Sequence, residues 1–155
     1  MCGIVGIFSH NKVVSDLYDS LIHLQHRGQD SAGISTYGKQ LHRVCGKGLV
    51  REIFTQENIA QLKGNFGIGH LRYPTAGSNS VAEIQPFWVS NPYGISLSHN
   101  GSLINYDALR KEVTQKYDCY LNTNSDSEAL LHLFAAGLKK TKKKSNIFPA
   151  NLSFD

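Results

Sequence analysis

Five short stretches of this 155-residue chain carry residues whose types and spacing could do chemistry. The first is Met1-Cys2-Gly3-Ile4. A residue as small as Cys at position two permits removal of the initiator Met, which leaves Cys2 with a thiol and a free α-amine on one carbon. A free thiol titrates near about 8.5 and an α-amine near about 7.7–8.0, so close to neutral pH the amine can accept the thiol proton, directly or through a water. Nucleophile and base would then lie in one residue, the arrangement that covalent catalysis needs; taken alone, a Cys after the first Met is also what chance supplies. The second stretch is His26-Arg27-Gly28-Gln29-Asp30-Ser31-Ala32-Gly33. The Arg27 guanidinium, always charged and forked, suits a thiolate or a carboxylate, and the bracketing glycines equally suit a plain turn. The third, Gly69-His70-Leu71-Arg72-Tyr73-Pro74-Thr75-Ala76-Gly77, runs from a strand into a Pro/Gly loop, a common place for sites. There Arg72 suits a substrate carboxylate and Thr75 offers a hydroxyl, against the plainer reading of a surface arginine. The fourth is Ser98-His99-Asn100-Gly101-Ser102. Asn-Gly alone is a turn signal, but the Asn100 side-chain amide and the Gly101 N–H are also two donors able to stabilise an oxyanion. The fifth, Asn124-Ser125-Asp126-Ser127-Glu128, precedes a helical pattern. Asp126 or Ser127 could cap that helix, or the Asp126 carboxylate could pair with a substrate ammonium.

Elsewhere the chemistry-bearing residues lack partners at useful spacing. His10, His23, His42 and His132 stand isolated, so no metal site is expected. Gly46-Lys47-Gly48 is too short for a phosphate loop, and Cys45 and Cys119 read as core or surface thiols. Three widely spaced cysteines make no disulfide framework and suit a reducing compartment. The amino terminus has no basic leader, and no run approaches the roughly 18 apolar residues of a membrane helix, so a cytoplasmic protein with no membrane partner is expected. The net charge of +4 is more than accounted for by Lys139, Lys140, Lys142, Lys143 and Lys144. The body is therefore near neutral, and it carries no RNA-reading aromatic signature, so no nucleic-acid partner is expected.

These loops need a frame to bring them together, and a hydrophobic fraction of 41% is enough to build one core. Residues 3–8 are short, apolar and β-branched, and read as a buried strand. Leu17, Leu21 and Leu24 stand at helical spacing within a helix over 11–26 that ends before Gly28. Residues 31–37 and 41–44 read as a strand pair across Gly38, 50–62 as one or two short helices, and 66–71 as a strand. Residues 87–89 and 95–99 form a hairpin through Asn91-Pro92-Tyr93-Gly94. Asn105 could cap a helix toward Lys116, and a last helix over 127–138 places Leu130, Leu131, Phe134 and Leu138 on one face. Residues 139–155 read as a lysine-rich loop or tail. Strands, helix, strands and then helices suit a layered α+β fold.

In this order the five motifs resemble the class II glutamine amidotransferases, members of the amino-terminal nucleophile hydrolases, over residues 1–138. LQHRGQDSAGI at 24–34 and GHLRYPTAGS at 69–78 resemble the amidophosphoribosyltransferase branch. The branch that aminates hexose phosphates has YRGYDSAG and TRWATHG in these places, and asparagine synthetases have HRGPD. The resemblance implies the four-layer α/β/β/α sandwich of the N-terminal nucleophile hydrolases, truncated here. It implies that Cys2 attacks the side-chain amide carbon of glutamine, that Asn100 and Gly101 form the oxyanion hole, and that Arg27 supports the Cys2 end of the site. Arg72 and Asp126 would hold the α-carboxylate and α-ammonium of glutamine, with Thr75 assisting. Ammonia would then displace pyrophosphate from phosphoribosyl pyrophosphate in a second domain, the first step of de novo purine biosynthesis.

That phosphoribosyltransferase domain is absent from the sequence, and the amidotransferase domain of the family runs well past residue 155, so an N-terminal part of a longer enzyme is expected. Mg2+ is expected only with the second domain, no cofactor in this segment, and a homo-oligomer at full length. Some family members carry a propeptide and an iron–sulfur cluster; Cys2 directly after Met1 and the small cysteine count disfavour that branch. Two rival readings are an amidotransferase for another acceptor, such as a sugar phosphate, and a non-catalytic truncated remnant.

Overall fold

A computed structural model describes residues 1–73 and 80–144, with side chains as far as residue 141. The expectations for Thr75 and for residues 145–155 lie outside the described residues. Strand β1 (Gly3–Phe8) pairs with β4 (Phe66–Arg72), β4 with β2 (Ser31–Tyr37), and β2 with β3 (Leu41–Lys47), all antiparallel, in the order β1-β4-β2-β3. Strand alternation gives this sheet two unlike faces. Ala32, Ile34 and Leu71 point to one side and meet Leu17 and Leu21 from helix α1 (Val14–Leu24), all of them fully buried. Each such aliphatic side chain contributes about 1.5–3 kcal/mol relative to exposure. Two short helices, α2 (Val50–Ile53) and α3 (Gln56–Gln61), cover the same side through Val50, Ile53, Phe54 and Leu62. They are two pieces because Thr55 is extended between them and caps α3, its Oγ1 accepting from the Asn58 N–H at 3.3 Å.

The opposite face of the sheet meets a second layer. Strands β5 (Phe87–Val89) and β6 (Ile95–Leu97) form the expected antiparallel hairpin. The Gln85–Pro86 segment leading into it lies directly on β2, at Gly33, where a Cβ would collide with the Gln85 carbonyl. Arg43 of β3 ties that segment down from the side, its Nε donating to the Pro86 oxygen and its Nη2 to the Ile84 oxygen, each at 2.6 Å. Helix α5 (Asp126–Lys144) lies against both hairpin strands, and α4 (Tyr106–Lys116) packs on α5 around Leu109, Val113, Leu121 and Ala129. The layers therefore run helices, sheet, hairpin sheet, helices: an α+β architecture.

Several local expectations change in the folded chain. Helix α5 continues through the lysines to Lys144, because Lys is a good helix former and no breaker intervenes after Gly137. Its buried hydrophobic residues are Ala129, Leu131 and Ala135 rather than a single Leu130/Leu131/Phe134/Leu138 stripe, and Phe134 is 53% exposed. The helix has neighbours on two sides, the hairpin and α4, so small residues occupy the close contacts. Asn105 makes no side-chain cap for α4; at φ −108°, ψ 27° it lacks the extended backbone that aims a cap at the first turn. Strand β6 stops at Leu97, which releases Ser98 and His99 into a loop. Strand β3 runs on to Lys47, and α1 begins at Val14 and ends in a 3-10 turn, Gln25–Arg27.

Away from the hairpin, the inner face of the sheet is apolar and open. Phe8 pairs with Phe66 and Phe66 with Tyr37, and the three are 62%, 47% and 46% exposed. Such a patch favours self-association. Replacing Phe8 and Phe66 together by Thr, which keeps strand propensity, is expected to reduce self-association in sedimentation velocity and to cost about 1 kcal/mol or less per ring in urea unfolding.

Candidate active site

The β1–β4 register decides where Cys2 lies. Gly3 faces Leu71, so Cys2 falls beside the end of β4, and its Sγ accepts from the Tyr73 N–H at 3.4 Å. Met1 ahead of it is 78% exposed. Arg27, in the 3-10 turn after α1, donates from Nε to the Cys2 carbonyl oxygen at 3.2 Å. Its observed contact is thus with the backbone of residue 2 rather than with the thiol. Gln25 holds that turn in place: its Nε2 donates to the Gly28 oxygen at 2.6 Å and its Oε1 accepts from the Val50 N–H at 2.7 Å.

Period-two alternation along β4 puts His70 and Arg72 together on the inner face. The Arg72 guanidinium lies between two carboxylates, 3.8 Å from Asp30 and 3.5 Å from Glu83. His70 is fully buried, and its Nε2 lies 3.1 Å from Asn100 Oδ1. Burial pushes the His70 pKa down to about 4; the bond to Asn100 acts against that shift, and the charges of Arg72 and His99 reinforce it. The ring is therefore neutral at physiological pH. Since Asn100 Oδ1 only accepts, His70 Nε2 carries the proton. Its Nδ1 has no hydrogen-bond partner among the described residues.

The Asn100-Gly101 loop is held by a side chain from the layer junction. Gln85 pairs with the His99 main chain in both directions, Oε1 accepting from the N–H at 2.7 Å and Nε2 donating to the carbonyl at 3.2 Å. The same Nε2 lies 3.3 Å from Ser127 Oγ, which ties the loop to the start of α5. A side chain at Gly101 would meet the His99 ring, with a Cβ only 2.7 Å from its Nε2.

Helix α5 begins at Asp126 itself, so neither Asp126 nor Ser127 precedes it as a cap. Glu128 orders the preceding turn, accepting from the Asn122 N–H at 2.9 Å, Asn122 Nδ2 at 3.1 Å, the Thr123 N–H at 2.8 Å and Thr123 Oγ1 at 2.6 Å. Burial pushes its carboxyl up, but these bonds from Thr123 and Asn122 outweigh burial and hold it below the usual range. Asp126 accepts from the Leu103 N–H at 2.8 Å and from Ser127 Oγ at 3.2 Å. Cys2, Arg27, Arg72, Asn100, Gly101 and Asp126 all line one open cleft of about 900 Å³, together with His70, Glu83, Gln85 and His99. The last four were not singled out from sequence. His70 had a legible signal, standing two residues before Arg72 on a strand; Gln85 had none, because its partner is a main chain 14 residues away.

A profile described as "Glutamine amidotransferase domain" matches residues 70–148, half of the chain, and spans His70, Arg72, Asn100, Gly101 and Asp126. The chain belongs to the glutamine amidotransferase domain family. Within it, the chain is 49% identical over 148 residues to an amidophosphoribosyltransferase of Saccharomyces cerevisiae and 53% identical over 144 residues to one of Pseudomonas aeruginosa. Each alignment covers 92% of this chain and 29% of the relative, so the chain spans less than a third of the length of these curated relatives. Among solved structures, the glutamine phosphoribosylpyrophosphate amidotransferase of B. subtilis, complexed with ADP and GMP, is 32% identical with a TM-score of 0.74. A structure described as the allosteric regulatory enzyme of purine biosynthesis is 34% identical with a TM-score of 0.77. Both superpose on 96% of this chain and 30% of their own. The α+β layers are thus those of the amidotransferase glutamine domain, an N-terminal nucleophile hydrolase fold.

The neutral, buried His70 makes stability acid-sensitive. Its pKa is about 4 when folded against 6.5 as the ordinary value, so as pH falls the unfolded chain takes up the proton first. Its contribution is intact above pH 6.5 and declines from there toward pH 4, by a total on the order of 3 kcal/mol. Urea unfolding across this range is expected to show the decline, and His70→Leu to flatten its share of it. His132 is also pushed down by burial, which is why the comparison with the variant, rather than the wild-type slope alone, is the measurement.

Proposed function

We propose that this chain carries the glutamine amide hydrolysis of an amidophosphoribosyltransferase. In the full-length enzyme its ammonia would displace pyrophosphate from phosphoribosyl pyrophosphate and give phosphoribosylamine. The observation that carries this reading is one cleft in which Cys2 shares walls with the Asn100-Gly101 loop, the Arg72 guanidinium and the Asp126 carboxylate.

The chemistry begins with removal of the exposed Met1, which frees the Cys2 α-amine. The neutral amine takes the thiol proton, and the thiolate adds to the amide carbon of glutamine. The resulting oxyanion accepts hydrogen bonds from Asn100 Nδ2 and the Gly101 N–H. Collapse breaks the carbon–nitrogen bond, the α-ammonium gives its proton to the leaving nitrogen, and ammonia departs from a γ-glutamyl thioester. Water, deprotonated by the α-amine, then displaces the thiolate and releases glutamate. Arg72 meets the α-carboxylate of glutamine and Asp126 its α-ammonium, with Thr75 assisting, while Arg27 fixes the Cys2 carbonyl and with it the direction of the nucleophile. The cleft is matched to a zwitterion: charges of both signs sit on its walls.

In the longer enzyme a cytoplasmic homo-oligomer and a Mg2+-dependent phosphoribosyltransferase domain complete this reading. Among the described residues, no group of three or more His, Cys, Asp or Glu side chains is placed to hold a metal ion.

The test is glutamate release from chain whose free Cys2 has been verified by mass spectrometry, with hydroxylamine trapping of the thioester as γ-glutamyl hydroxamate. Cys2→Ala and chain retaining Met1 are expected to give only background. Asn100→Ala is expected to lower kcat by about 100- to 1,000-fold. Arg72→Ala and Asp126→Asn should instead act mainly on KM, raising it by roughly 10- to 100-fold for each lost charged hydrogen bond. Folded wild type with free Cys2 that releases no glutamate would overturn the proposal.

A further inference from the structure

We infer that His70 is the positioning residue of the oxyanion site: its Nε2–H holds the Asn100 side-chain oxygen and so turns the Asn100 amide nitrogen toward the substrate oxyanion. This rests on the functional reading above and extends it to a residue that acts through Asn100.

A carboxamide is flat, and its two ends are nearly equal in size. Its NH2 end stabilises an oxyanion, whereas its oxygen end repels one, so a loop asparagine makes a useful oxyanion donor only if something selects the orientation. At Asn100 the selector is His70, whose Nε2 stands 3.1 Å from Oδ1. With the proton on Nε2, the reverse orientation would set the amide NH2 against the ring N–H, two donors facing each other at a part-buried contact. Burial opposes uptake of a second proton, so the ring stays neutral.

The anchor is also stiffer than the group it orients. His70 lies in β4, paired on one side with Ile4 of β1 and on the other with Gly33 of β2, and it is fully buried. Asn100 lies in the loop beyond β6, whose main chain is pinned one residue earlier by Gln85. Backbone and side chain of the donor are thus fixed by two separate neighbours before any substrate arrives. Such preorganisation leaves little reorganisation for the moment when charge develops.

The experiment is a double-mutant cycle in glutamine hydrolysis, run on the chain with Met1 removed. His70→Leu is expected to lower kcat by up to the roughly 100- to 1,000-fold that Asn100→Ala loses, with KM nearly unchanged. The pair His70→Leu/Asn100→Ala is expected to be no slower than Asn100→Ala alone, within about two-fold, because nothing is left to orient. His70→Gln, whose side-chain nitrogen can reach the place of Nε2, should recover much of the rate. Losses that multiply in the double variant would mark His70 as structural and overturn the inference, while leaving the glutaminase reading intact. If His70→Leu does not fold, the ring nitrogen shifts of wild-type His70 in 15N NMR decide: a protonated Nε2 and bare Nδ1 at neutral pH are required, and the reverse tautomer overturns it. Folded wild type with free Cys2 and no turnover would instead bring down the functional reading, and this inference with it.

Discussion

Gly3 pairs with Leu71, and that first rung of the β1–β4 ladder sets where Cys2 lies. Residue 2 stands one position ahead of that rung and so lies beside the outgoing end of β4. The hydrogen bond from the Tyr73 N–H to Cys2 Sγ continues the pairing onto the side chain. A one-residue slip would exchange the faces of β1, sending Val5 and Ile7 away from α1 and the core. The hydrophobic pattern of the strand therefore fixes the register, and the register fixes the nucleophile position that the proposed chemistry needs.

The other wall of the cleft depends on how closely the two sheet layers meet. Gly33 lets the Gln85–Pro86 segment rest on β2, and Arg43 fastens it through two carbonyls. That close approach brings the Gln85 side chain to the His99 main chain and to Ser127, so the loop after β6 and the start of α5 are set by the same residue. Glu128 then holds the turn before α5, leaving the Asp126 carboxylate at the cleft wall. Packing at a glycine well away from the nucleophile thus determines where the proposed oxyanion donors and ammonium partner stand.

Charge in the cleft is arranged in opposed pairs. Arg72 lies between Asp30 and Glu83, and Asp126 is stabilised by a backbone N–H and a hydroxyl. Fixed groups of both signs suit a zwitterionic ligand, since each end meets a partner without leaving a bare charge in the wall. The neutral His70 on the cleft wall spends its donor on Asn100 Oδ1 and adds no charge. The inner face at Phe8, Tyr37 and Phe66, by contrast, exposes three aromatic rings, and the relatives of this chain are more than three times its length.

The sequence by itself determined the strands over residues 3–8, 31–37 and 66–71, the helix around Leu17 and Leu21, and the set of site loops, because alternation, helical spacing and Gly/Pro punctuation are local signals. It also carried the family, through ordered motifs whose residue types are tied to one kind of chemistry. What only the tertiary structure decided is which groups touch. Arg27 meets the Cys2 carbonyl, Glu128 rather than Asp126 orders the turn before α5, and the contact face of α5 is divided between two neighbours. His70 meets Asn100 and Gln85 meets His99 across 30 and 14 residues of chain. Such contacts leave no periodic trace in either partner's neighbourhood, since they arise from layer packing and sheet register rather than from local backbone preference.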